Sequence, residues 1–169
     1  MKILINISLI ILSLMYSSLT ISQEQPNPIE ALEFLTGHWE GPGVSYLEDG
    51  KTQDFHDIEN VRFDLDANLL LINAKGLIDG ELLYQLHTVI YYDHEAGHYF
   101  YTPFRGKKKP VPSKCQLKKQ QFKCVNINND ARLTFQRLPD GGWNEYGEKL
   151  IDGQWQKYFE TKLYPKDMN

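Results

Sequence analysis

The sequence predicts an all-β fold, an antiparallel up-and-down barrel of about ten strands with one short N-terminal helix. Two observations carry this. From Trp39 onward, turn-forming residues recur at nearly even intervals: Asp49-Gly50, Asp66-Ala67-Asn68, Asp79-Gly80, Glu95-Ala96-Gly97, Gly106, Lys119-Gln120, Asn128-Asn129, Asp140-Gly141 and Asp152-Gly153. The runs between them are rich in β-branched and aromatic residues and none reads as a helix, which indicates a meander rather than βαβ units. A meander this long closes into a barrel or folds into two sheets, because closure removes exposed edges.

The chain begins with Lys2 and an apolar run from Ile3 to Tyr16, followed by Thr20-Ile21-Ser22 before Gln23. A basic n-region, an apolar h-region and small residues at a cleavage point are the parts of a secretory signal peptide. The expected division is therefore a signal peptide over 1–22 and a single domain over 23–169, secreted or periplasmic, with no transmembrane segment in the mature protein. Cleavage leaves 147 residues of net charge −5, enough chain to bury a core. Next, Asn27-Pro28-Ile29-Glu30 places Asn as N-cap, Pro at the first helical position and Glu at the third, and Ile29, Leu32 and Leu35 supply one apolar stripe before Gly37. The expectation is a helix of two to three turns.

Three hairpins have registers that follow from their turns. Around Lys119-Gln120, Cys115 falls opposite Cys124 and Leu117 opposite Phe122, so the only two cysteines meet on an apolar face. A disulfide there, in an oxidising compartment, is worth roughly 2 to 3 kcal/mol in the chain-entropy description. Around Asp79-Gly80, one face carries Gly76 with Leu83, Ala74 with Gln85, Ile72 with His87 and Leu70 with Val89, making His87 a candidate interior group. Around Asp152-Gly153, one face carries Leu150 with Trp155, Glu148 with Lys157 and Tyr146 with Phe159. If that face points inward, Glu148 and Lys157 fix the polar end of a ligand between the aromatic rungs Tyr146, Trp155 and Phe159. If it points outward, they form a solvated ion pair. Glu59 is a further possible inward carboxylate, on a strand over 55–65 whose facing the pattern leaves open.

Phe34-Leu35-Thr36-Gly37-His38-Trp39-Glu40-Gly41-Pro42-Gly43, directly after the helix, resembles the Gly-x-Trp-x-Gly-x-Gly opening of lipocalin-like, calycin-type barrels, including bacterial secreted domains of unknown function. Tyr92-Asp93 with Gly97-x-Tyr99 is similar to the mid-chain hairpin of those families. The resemblance covers about residues 29 to 164. It implies a ten-stranded barrel, an N-terminal helix closing one end, and an internal cavity. Haem-binding relatives called nitrobindins carry an iron-ligating His late in the chain, whereas this sequence has no His after His98. No cofactor is expected.

His94-Glu95-Ala96-Gly97-His98 spells the H-E-x-x-H of zinc peptidases, with His94 and His98 as ligands and Glu95 as general base. That chemistry needs both imidazoles on one helical face. The flanking runs Val89–Tyr92 and Tyr99–Thr102 are strand-like, so the five residues read as a polar turn pairing Asp93 with His98 and Tyr92 with Tyr99. No catalytic or metal-binding constellation is singled out.

With 18 basic and 22 acidic residues, the composition excludes collagen, a polybasic nucleic-acid tail and a disulfide-dense mini-protein. Between Glu95 and Asp130 every charge is positive, and Lys107, Lys108, Lys109, Lys118 and Lys119 are candidates for meeting an anionic surface. The alternative is a solvated hairpin whose edge lysines, with Pro110 and Pro112, block sheet-to-sheet aggregation. The function expected is binding of a small apolar or amphipathic molecule without catalysis. A zinc hydrolase built on His94, Glu95 and His98, and a filled-barrel interaction protein docking through its lysine-rich hairpin, are the alternatives.

Overall fold

A computed structural model describes residues 27–166, so the expected signal peptide lies outside the described residues. A 3₁₀ helix, Glu30–Leu35, precedes ten strands: β1 Gly37–Tyr46, β2 Thr52–Asp64, β3 Leu69–Ile78, β4 Glu81–Asp93, β5 His98–Phe104, β6 Ser113–Lys118, β7 Gln121–Asn126, β8 Ala131–Arg137, β9 Trp143–Ile151 and β10 Gln154–Pro165. Each strand pairs antiparallel with its neighbours in sequence, and β1 pairs with β10 to close the barrel. Among the described residues no helix is long and apolar enough to cross a membrane.

The turns obey local backbone chemistry. Asp79-Gly80 and Asp152-Gly153 both take positive φ at both positions, the type I′ geometry whose twist matches the flanking strands. Their registers nevertheless depart from simple alternation. The β3–β4 ladder starts as expected with Ile78 opposite Glu81, then slips by one between Gly76 and Leu77, so Gly76 faces Tyr84 and Asn73 faces His87. The β9–β10 ladder pairs Glu148 with Lys157 and then slips before Phe159, which sits opposite Gly147 instead of Tyr146. An extra residue in one strand exchanges the facing of everything beyond it.

The N-terminal segment is a 3₁₀ helix and not the capped α-helix expected. The Ile29, Leu32 and Leu35 stripe has a strict period of three, which superposes on a helix of three residues per turn. All three side chains are buried. The Ile29 N–H donates to Asn27 Oδ1 at 3.0 Å and the Asn27 amide donates to the Ala67 carbonyl at 2.8 Å, so Asn27 ties the segment to the β2–β3 turn. Tyr99 Oη donates to the Pro28 carbonyl at 2.7 Å, holding it across the barrel end.

That end is packed solid. Trp39, anchored by its indole N–H to the Leu35 carbonyl at 2.8 Å, meets the edge of Trp143 with ring centroids 5.9 Å apart, and Phe135, Phe122 and Tyr99 continue the aromatic chain at 5.3 to 5.8 Å. Burying a ring of this size contributes about 2 to 3 kcal/mol. The disulfide Cys115–Cys124 forms in the expected register, buried beneath Phe122.

The glycines of the opening motif have a steric role. A side chain at Gly41 would strike the backbone carbonyl of Lys162 on β10, and one at Gly43 would occupy the place of the Phe55 ring. Gly41→Ala should therefore lower stability by about 3 kcal/mol, as overpacking does when backbone must move. The check is urea denaturation: a lower midpoint with unchanged slope is expected.

Candidate functional site

The up-and-down order puts the β1–β2, β3–β4, β5–β6, β7–β8 and β9–β10 turns at the end opposite the 3₁₀ helix. Here the interior is not filled. A cavity of about 320 Å³ opens at this end, walled by Phe55, Tyr84, Tyr101, Phe135, Tyr158 and Phe159. A second lobe of about 320 Å³ shares Tyr101, Arg105, Glu145, Tyr158 and Phe159 and runs beneath the β5–β6 loop.

Two inward glycines shape the walls. The Tyr84 ring covers Gly76, and the rings of Tyr158 and Phe159 both cover Gly147. The β10 bulge places these two consecutive aromatics over the same glycine, and their centroids lie 5.1 Å apart. Side chains at Gly76 or Gly147 would push the rings into the cavity.

The floor of the cavity is acidic. On β2, Phe55, Asp57, Glu59 and Val61 alternate inward and all are buried. Glu145 on β9 lies between Trp143 and Gly147 on the same inward face and lines the cavity together with Glu59. Asp57, flanked by Gly41 and Gly76 in the ladders, accepts a 2.6 Å hydrogen bond from Tyr84 Oη. One oxygen of Asp57, Oδ2, and one of Glu59, Oε2, are buried without any hydrogen-bond partner. No ion pair joins any of the three acids to a cation among the described residues.

Burial without a counter-charge raises all three carboxyls. Asp57 is pushed up to about 6, by desolvation against the opposing Tyr84 hydrogen bond. Glu145 is pushed up to about 8 by desolvation and by the charge of Asp57. Glu59 moves well above its ordinary value through desolvation and then the charges of Glu145 and Asp57. The hydroxyls of Tyr84 and Tyr101 are raised chiefly by burial, so both remain protonated donors.

Of the residues the sequence singles out, Glu59 and Phe159 line the cavity. His87 does not face inward: the β3–β4 bulge turns it out, where it is exposed and its Nδ1 lies 2.7 Å from Asn73 Oδ1, while Thr88 takes the interior position. Glu148, Lys157, Tyr146 and Trp155 lie on the face opposite Glu145 and Phe135. There Glu148 accepts two hydrogen bonds from Arg132, the Arg132 guanidinium stacks 4.3 Å over Trp155, and Lys157 pairs with Glu160 at 2.9 Å while lying 4.8 Å over Tyr146. The Glu148–Lys157 register is present, but each charge takes another partner. Asp57 and Glu145 escape the sequence reading, although Phe55 and Val61 flanking Asp57 and Glu59 with period two, and Trp143 beside Glu145, carry the signal.

The H-E-x-x-H segment is the β4–β5 turn. Asp93 pairs with His98 and Tyr92 with Tyr99, the His94 ring packs edge-on to Tyr92 at 5.0 Å, and His98 Nδ1 lies 2.9 Å from the Ala96 carbonyl. Among the described residues no three His, Cys, Asp or Glu side chains are placed to hold a metal ion. The lysines divide between the two ends of the barrel: Lys107, Lys108 and Lys109 are exposed in the β5–β6 loop beside the cavity mouth, and Lys118 and Lys119 at the β6–β7 turn beside the helix-covered end.

The raised carboxyls make stability pH-dependent. Each group binds its proton more tightly in the folded chain than in the unfolded one, so its stabilising contribution is complete below about pH 4 and is lost as pH rises through about 6 for Asp57 and about 8 for Glu145. Each contributes a slope of about 1.4 kcal/mol per pH unit between its two values. Glu145→Gln should melt higher than the parent at pH 8, with the difference shrinking at pH 5. Thermal melts at the two pH values test this.

No protein-family model matches the chain, and no curated protein matches it. Among solved structures, the crystal structure of Rv2717c from M. tuberculosis matches with a TM-score of 0.63 at 10% identity, over 83% of this chain and 98% of that one. At that identity the likeness shows the fold alone: a closed, ten-stranded antiparallel barrel.

Proposed function

We propose that this chain is an exported, lipocalin-like binding protein that holds an apolar or amphipathic small molecule without transforming it. The observation that carries the reading is the open-ended, aromatic-walled cavity, whose volume of about 320 Å³ per lobe falls in the range of small-molecule sites. The mouth supports it further. Leu47, Leu82, Phe104, Val111, Ile127 and Ile151, at least one from each of the five turns or strand ends there, are exposed. An apolar rim of that kind gives an apolar ligand a continuous path inward. Export is supported by the leader sequence together with the disulfide.

The alternatives draw on features the fold sets apart. The H-E-x-x-H residues sit in a hairpin turn, and the lysines proposed for docking lie at opposite ends of the barrel.

Native mass spectrometry of the protein purified from its own compartment should show a non-covalent organic adduct. Independently, the neutral dye N-phenyl-1-naphthylamine should brighten on binding the refolded, cargo-free chain. Ala74→Phe, which places a ring against the cavity wall, should weaken dye binding about ten-fold or more while the circular dichroism spectrum stays that of a β-barrel. Absence of both adduct and dye binding in a folded parent chain would refute the reading.

A further inference from the structure

We infer that the cavity is built for a small amphipathic amine, whose ammonium group lodges against Glu59, Asp57 and Glu145 and whose apolar body stacks among Tyr84, Tyr101, Phe135 and Phe159. The inference deepens the binding-protein reading and rests on it. Its starting point is an imbalance of charge. Three buried carboxyls face one interior, two of them with an oxygen that lacks any partner, and Glu59 and Glu145 line the open cavity itself.

Among the described residues no cation forms an ion pair with them. The inward side chains near the cluster are Trp39 from β1, Phe55 and Val61 from β2, Ile72 and Ala74 from β3, and Tyr84, Leu86 and Thr88 from β4. Tyr101 from β5, Phe135 from β8, and Tyr158, Phe159 and Thr161 from β10 complete the surroundings. His56, the one imidazole close enough to act on Asp57, projects from the other face of β2 and pairs with Glu40. Arg105 lines both lobes of the cavity with its guanidinium 5.5 Å over the Tyr84 ring, and Lys149 lies 5.2 Å over the Tyr158 ring. Neither pairs with an acid of the cluster among the described residues.

A carboxylate ligand meets repulsion at this floor, and a neutral ligand brings at most a donor without a charge. A protonated amine supplies donors and charge together, and aromatic faces favour it further once water is excluded. With no ligand the acids balance their charge by holding protons, so amine and protons compete for the same oxygens. The expected signature is an affinity that rises with pH.

Calorimetry on the cargo-free mature chain with three matched indoles tests this: tryptamine (cationic), tryptophol (neutral) and indole-3-propionate (anionic). At pH 8 tryptamine should bind about ten-fold tighter than tryptophol, and indole-3-propionate weakest. Tryptamine should lose about ten-fold between pH 8 and pH 5, although its ammonium stays charged throughout. Glu59→Gln and Glu145→Gln should each remove most of the preference for tryptamine over tryptophol. Equal affinities for tryptamine and tryptophol, or a preference that survives in the double variant, would overturn the inference. Dye uptake with none of the indoles bound would overturn it and leave the binding cavity standing. Failure of dye and indoles alike would remove both.

Discussion

Everything in this molecule depends on the ladder between β1 and β10. Pairing Trp39 with Pro165 through Ser45 with Phe159 turns a ten-stranded meander into a tube without edges. A tube of eight strands is just wide enough for side chains to fill, and diameter grows with strand number, so ten strands enclose space that must be plugged or left open. The chain does both. The 3₁₀ helix and an aromatic stack close one end, and the other stays open. Gly41 makes the closure possible, because β10 backbone occupies the place where its side chain would stand.

The open half shows how the interior is divided between stability and function. Aromatic rings laid over glycines build walls that lie flat and leave volume between them. Placing three carboxyls on the floor costs folding free energy, since desolvation disfavours their charged forms and among the described residues no ion pair offsets it. A domain shaped only for stability would fill these positions with apolar side chains, as it does beside Trp143 and Phe135 a few ångströms away. Protonation relieves the cost, and the pH dependence of stability and the competition with a cationic ligand are two consequences of that one arrangement.

Two β-bulges decide which side chains see the cavity. One in the β3–β4 hairpin exchanges His87 for Thr88, and one in β10 turns Phe159 inward beside Tyr158 over Gly147 while Lys157 stays on the outer face with Tyr146. On that outer face Arg132, Glu148, Trp155, Lys157 and Glu160 satisfy one another in a ladder of ion pairs and stacked cations. The acids most prominent in the sequence are thus neutralised at the surface, and those left unneutralised lie inside.

By itself the sequence determined the class of fold, the number of strands, the turn positions and the Cys115–Cys124 register. These follow from properties of a few adjacent residues: the left-handed backbone of Asp-Gly turns, the period of two in strands, and the meeting of two cysteines across a tight turn. The capping residues and apolar stripe at Ile29, Leu32 and Leu35 indicated a helix, and the structure decided that it is 3₁₀. Tertiary structure decided the facing beyond each bulge, the identity of the acidic floor and the existence of the cavity. A bulge changes parity by one residue for reasons of sheet curvature that no local window contains. Glu59 and Glu145 lie far apart in the chain and line one cavity only because the barrel closes.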